Sequence, residues 1–130
     1  MVDADWTPYK ALGDEGALRM VERFYHYMDT LPEAAGVRAM HKADLSPMTD
    51  KLATFLIGWM GGPSRYAEKF GGSVHMPGVH APFPIGRDEA DAWLLCMQKA
   101  VDEVAPAEPE NFSDLIMERM GQMCEMLINR

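Results

Sequence analysis

Between Met76 and Arg87 the chain carries Pro77, Gly78, Pro82, Pro84 and Gly86, a density that no long helix tolerates. Proline blocks helix interiors and restricts the residue before it. A helical pattern resumes just beyond, with Trp93 one turn ahead of Met97. His80 is therefore predicted on a short, stiff connection, beside the apolar side chains Val79 and Phe83. Two readings are open. The histidine is a solvated loop residue, or its bracing serves a ring nitrogen that must point at a fixed metal.

The rest of the chain reads as helices. Leu18, Val21, Tyr25 and Met28 recur at the spacing of one buried face, which predicts a helix over 14–31 ended by Pro32. A leader, 1–13, precedes it, with Trp6 and Tyr9 packing back on the body. A short helix is expected over 34–40, followed by His41. Ser46 and Pro47 then read as N-cap and first helical residue. The helix they open places Met48, Leu52, Phe55, Leu56 and Trp59 on one face and stops at Gly61-Gly62. Pro63 is expected to start another short helix, reaching Phe70 before Gly71-Gly72. Helices over 87–104, with Trp93, Met97, Ala100 and Val104 on one stripe, and over 113–129, burying Ile116, Met120, Met123 and Leu127, flank a break at Pro106 and Pro109. Strand patterns, repeats and low-complexity segments are absent from the sequence. The predicted class is all-α, one domain over 1–130, in which 105–130 forms a linker and last helix.

Composition narrows the function. A formal net charge of −8 argues against nucleic acid or an anionic membrane as partner. No apolar run approaches the ~18 residues of a membrane span, and the acidic N-terminus lacks a signal-peptide pattern, so a cytoplasmic protein is expected. Cys96 and Cys124 are far apart in helical patterns and read as buried thiols. Twelve methionines suit either ordinary core filling or packing around a flat cofactor. Of the four histidines, His26, His41, His75 and His80, the pair His75 and His80 with Cys96 does not match a zinc-ligand spacing. Phosphate loops, nucleophile elbows and paired helical carboxylates do not occur. What remains is a braced histidine, an inward tyrosine, an inward tryptophan and a second histidine on separate segments. Tyr25 admits a plainer reading, a core tyrosine bonded to a backbone carbonyl.

The run His80-Ala81-Pro82-Phe83-Pro84-Ile85 followed by Asp91-Ala92-Trp93-Leu94-Leu95-Cys96-Met97 resembles the proximal-histidine region of group II truncated hemoglobins. Arg23-Phe24-Tyr25 is similar to that family's second helix. Lys51-Leu52, Phe55-Leu56 and Gly61-Gly62-Pro63 with Tyr66 are similar to its distal helix and exit. The likeness runs from about Tyr9 to Val104 in the family's order. It implies a truncated globin, a two-over-two helical sandwich around heme b, held without thioether links since no Cys-x-x-Cys-His is present. His80 would be the iron ligand. Tyr25, Trp93 and His41 would act on the bound gas, and Met48, Lys51, Leu52, Phe55, Tyr66, His75, Phe83, Trp93 and Met97 would contact the cofactor.

There are departures. His41 stands where many members have tyrosine or phenylalanine, and it adds a group that titrates near neutral pH. Pro77 and Val79 replace basic residues before the proximal histidine, leaving Lys51 and Tyr66, with His75 or Arg65, as candidate propionate partners. For Lys51 and Arg65 a solvated surface charge is the competing reading. The resemblance implies binding of O2, NO, CO or peroxide, with an unknown reductase, and either nitric oxide dioxygenation or peroxide chemistry. A gas sensor or carrier acting through a partner is the alternative, and a cofactor-free helical interaction module is a third class.

Overall fold

The computed structural model describes residues 7–71 and 83–129. Six α-helices and one short 3₁₀ turn occur among them, and no strand, as the all-α reading expects. In chain order these are α1 (Pro8–Thr30), the turn Pro32–Ala34, α2 (Ala35–Ala39), α3 (Ser46–Trp59), α4 (Tyr66–Phe70), α5 (Arg87–Val104) and α6 (Phe112–Leu127). Helix α1 packs on α3 and on α5, and α5 packs on α6. One pair, α1 and α3, thus lies over a second, α5 and α6.

Helix α1 starts earlier than its apolar stripe suggests. Thr7 is the N-cap, its hydroxyl accepting from the Lys10 amide at 3.3 Å, and Pro8 takes the first helical position. At Gly13 the backbone turns to φ 69°, ψ −177°, so two helical segments meet at a kink. A positive φ costs glycine little because it has no Cβ. Residues 8–13, expected as part of a leader, are therefore helix.

The buried face of α1 is Ala17, Met20, Val21, Phe24, Tyr25 and Met28. Leu18, assigned to that face from its spacing, is 43% exposed. It borders an open groove between α1 and the start of α3, lined also by Glu22, Ser46, Thr49 and Asp50. With no packed neighbour at that height, the edge of the stripe stays wet.

Three other boundaries differ from expectation. The N-cap of α3 is Leu45, not Ser46, and it makes no side-chain cap. Asp44 takes over that role by accepting from the Ser46 amide at 3.0 Å. That bond holds the Asp44 carboxyl below its ordinary range. Helix α4 begins at Tyr66 rather than at Pro63. In α6 the buried stripe is Phe112, Ile116, Met120 and Cys124, while Met123 and Leu127 are only half-buried and Asn129 lies beyond the helix.

The Gly61-Gly62 turn is where sterics allow no alternative. Gly61 sits at φ 94° with Thr7 side-chain atoms 2.7 Å from where a Cβ would stand. A Cβ on Gly62 would meet the Tyr9 ring at 2.6 Å and the Ile57 carbonyl at 2.9 Å. The Tyr9 amide donates to the Met60 carbonyl at 3.1 Å, so the first turn of α1 lies directly on the end of α3. Tyr9 Oη and Arg65 Nη1 both donate to Asp14 Oδ1, at 2.7 and 3.1 Å, and close this corner.

On the outer surface Arg23 grips Glu103 with two bonds, at 2.6 and 3.3 Å, tying α1 to α5. Together with the Tyr27 hydroxyl these bonds hold the Glu103 carboxyl down to about 2. Being exposed, the pair adds little to stability. The apolar seam beneath dominates: complete burial of a side chain such as Phe24 stabilises by about 1.5–3 kcal/mol. Cys96 and Cys124 are buried free thiols, as the sequence suggested. Burial pushes them up to about 11 and about 12. No helix among the described residues is long and apolar enough to cross a membrane.

Replacing Gly62 by alanine is expected to destabilise the fold by about 1–3 kcal/mol, the usual penalty for overpacking a site walled by backbone. Gly71→Ala, at φ 78° but with nothing within 4 Å of a new Cβ, should cost less. Denaturant midpoints of the two variants check the order.

Candidate functional site

Helices α3 and α5 each pack on α1 but make no extensive contact with each other. This arrangement points to a slot between them, floored by α1. Its walls carry large apolar side chains that are only partly buried although packed against the core: Leu52, Phe55 and Trp59 from α3, Trp93 and Leu94 from α5. An apolar wall left half-open beside a closed core is what a flat apolar cofactor would cover.

The floor of the slot is aromatic. Phe24, fully buried, lies 4.9 Å from the Trp93 ring and 4.9 Å from the Tyr25 ring. Tyr25 in turn meets His41 edge-on at 5.8 Å. One run of rings, Trp93–Phe24–Tyr25–His41, therefore joins α5, α1 and the segment after α2. The sequence singled out three of these four as acting together and gave Phe24 no role. Its signal was present, since Phe24 stands three residues after Val21 and four before Met28, on the buried face.

Tyr25 is 6% exposed, and burial alone pushes its phenol up to about 12. The reading of a core tyrosine bonded to a backbone carbonyl does not hold among the described residues, where the hydroxyl has no hydrogen-bond partner. Among the described residues no fully enclosed side-chain nitrogen or oxygen is left unsatisfied. A buried phenol without a partner normally costs stability.

His41 is half-buried, and its Nδ1 donates to the Val37 carbonyl at 3.0 Å. That bond assigns the proton of the neutral ring to Nδ1 and leaves Nε2 an acceptor. In the neutral state Nε2 can take a proton from a neighbour but has none to give.

The remaining candidates are spread around this centre. Met48, at the start of α3, is 37% exposed, and Phe83 is 41% exposed. Met97 is fully buried within the core. The exposed Lys51 ammonium lies 5.6 Å over the Phe70 ring. Tyr66 stacks obliquely on Phe70 at 5.0 Å and helps line a cleft of about 190 Å³ with Thr54, Phe55, Gly58, Trp59, Ser64 and Arg65. Arg65 is engaged by Asp14. His75 and His80 fall outside the described residues. Among those described, no cluster of His, Cys, Asp or Glu suits a free metal ion.

Two pairs of helices, with half-buried apolar side chains on α3 and α5 and a run of aromatic rings beneath them, define a two-over-two helical protein. The comparisons agree. Residues 7–129 match the family model of the bacterial-like globins. The chain belongs to that family, whose cofactor is heme b. It is 36% identical over 98 residues to the group 2 truncated hemoglobin YjbI of Bacillus subtilis (strain 168), covering 75% of this chain and 71% of that one. The group II 2-on-2 hemoglobin from the plant pathogen Agrobacterium tumefaciens superposes with a TM-score of 0.88 at 38% identity, over 99% of this chain and 98% of its own. The cold-adapted truncated hemoglobin of the Antarctic marine bacterium Pseudoalteromonas haloplanktis gives 0.89 at 32% identity, over 96% and 99%.

The raised Tyr25 value carries a testable sign. The unfolded phenol ionises near 10 and the folded one near 12, so between these values the folded state holds more protons and stability falls as pH rises. Wild type should lose about 2–3 kcal/mol relative to Tyr25→Phe across that window and nothing below it. Denaturant titrations of both proteins from pH 8 to 12 check this.

Proposed function

We propose that the protein holds heme b in the slot between α3 and α5, with His80 as its iron ligand, and binds O2 there under the control of Tyr25, Trp93 and His41. When bound, heme b would supply a ferrous iron able to take up a diatomic gas. The observation that supports the reading is the ring series that sets the buried Tyr25 phenol and the Trp93 indole on either side of Phe24.

Tyr25 Oη and Trp93 Nε1 each offer one proton to a ligand atom that gains negative charge. Both are neutral donors at physiological pH, and packing against Phe24 fixes where they point. The His41 ring, edge-on to Tyr25, borders the phenol on the side away from Phe24. Leu52, Phe55 and Trp93 exclude water, with Met48 at the rim and Met97 supporting the wall from within the core. Lys51 and Tyr66, with His75, are the candidate propionate partners, and Phe83 borders the iron-binding side. Arg65, already paired with Asp14, is a weaker candidate.

Two donors on one ligand slow its release, which suits retention better than delivery. Nitric oxide dioxygenation, or peroxide chemistry, follows more naturally from such a pocket than O2 transport. Conversion of nitric oxide and O2 to nitrate consumes one electron per turnover, which an external reductase would supply. CO would test the pocket without that chemistry.

Purified wild type should show a heme Soret band that His80→Ala weakens or loses; a colourless wild type would leave only a cofactor-free helical module. Trp93→Phe should speed O2 dissociation by about ten- to hundredfold, the worth of one hydrogen bond to a charged group. An unchanged rate removes the indole from the ligand's donors. Stopped-flow mixing of the oxygenated protein with nitric oxide should yield nitrate stoichiometrically, and its absence would leave a carrier or sensor.

A further inference from the structure

The stretch 40–45, between α2 and α3, carries His41 without forming a helix or strand. One side chain at its start holds it. Arg38 Nη1 donates to the Lys42 carbonyl at 3.0 Å, and Nη2 donates to the Ala43 carbonyl at 3.1 Å. Nε of the same guanidinium donates to Asp29 Oδ1, on α1, at 2.9 Å. The Arg38 backbone carbonyl in turn accepts from the His41 amide at 3.0 Å. Arg38 therefore grips the chain on both sides of His41.

The anchor point gives this clamp its meaning. Asp29 stands four residues after Tyr25, one turn further along α1. Tyr25 meets the His41 ring edge-on at 5.8 Å. The guanidinium thus ties the His41 segment to the turn of α1 that follows the phenol. The His41 ring is steadied separately by its Nδ1 bond to the carbonyl of buried Val37.

The Arg38 side chain is 22% exposed and that of Asp29 59%, so the ion pair itself adds little to stability. What the three bonds fix is place. Arginine suits the task because its planar fork presents several N–H groups in fixed directions, which a lysine ammonium does not.

We propose that Arg38 is a positioning residue for the gas pocket: by fastening Lys42 and Ala43 to Asp29 it sets the His41 ring against Tyr25. This rests on the reading of Tyr25 and His41 as pocket residues. Arg38 acts only through His41, since its own side-chain bonds all go to Asp29, Lys42 and Ala43.

The test uses the full-length heme-loaded protein and three readouts. These are the nuclear Overhauser contact between the His41 and Tyr25 rings, the C–O stretching band of the carbon monoxide complex, and the O2 dissociation rate. Arg38→Ala is expected to weaken the ring contact, to broaden or split the band, and to speed O2 release by about three- to tenfold. Arg38→Lys keeps the charge but not the fork; it should show the same changes in smaller degree, and it serves should the alanine variant fold poorly. Arg23→Ala, which breaks a different ion pair of α1, should behave as wild type. In a His41→Ala background Arg38→Ala should add nothing to the band or the rate, because the two residues act as one unit. The proposal is overturned if both Arg38 variants match wild type in ring contact and band. It is also overturned if Arg23→Ala reproduces their effect, or if Arg38→Ala acts undiminished without the His41 ring. A wild type that takes up no gas would defeat the proposed function, while the ring contact and its loss in Arg38→Ala would still decide the positioning role.

Discussion

Everything about the pocket depends on α1 serving as a common wall for two helices that do not pack on each other. Its face of Ala17, Met20, Val21, Phe24, Tyr25 and Met28 seats α3 on one flank and α5 on the other. Had α3 and α5 closed together, Leu52, Phe55 and Trp93 would be ordinary core residues. Because they do not, the protein keeps apolar surface half-exposed in its middle, which a soluble domain tolerates only when something else covers it. Phe24 is the fulcrum of this arrangement, touching both the indole and the phenol from a position with no solvent access.

The polar groups of the pocket divide their work by chemistry. Tyr25, with its phenol near 12, stays a donor throughout the physiological range. The Trp93 indole does not titrate at all. His41 commits its Nδ1 proton to the Val37 carbonyl, which leaves Nε2 an acceptor.

Much of this was legible in the sequence, for identifiable reasons. Helices α3, α5 and α6 follow from apolar spacing, and the double glycine marks the end of α3. Tyr25 and Trp93 stood out as polar-tipped aromatics on inward stripes. The misreadings are equally physical. Periodicity cannot see that a groove opens beside Leu18, so an edge residue passed for core. Thr7-Pro8 carries the same cap-and-proline signal as Ser46-Pro47, yet in the first pair threonine caps the helix while in the second Asp44 displaces serine from that task. The slot itself is invisible to one-dimensional patterns, because it is defined by which helices fail to meet. Asn129 was counted as the last residue of a helix, since nothing local announces that its amide reaches back 44 and 46 residues.

The placement of sulfur has a consequence for a protein that handles O2. Both thiols are enclosed and held up to about 11 and 12, so at neutral pH neither offers the thiolate that oxidants attack first. Met126, by contrast, is 65% exposed on the outer face of α6. Oxidative wear would therefore fall on a surface thioether, a lesion that reductases repair, and spare the interior sulfurs on which the helix packing rests.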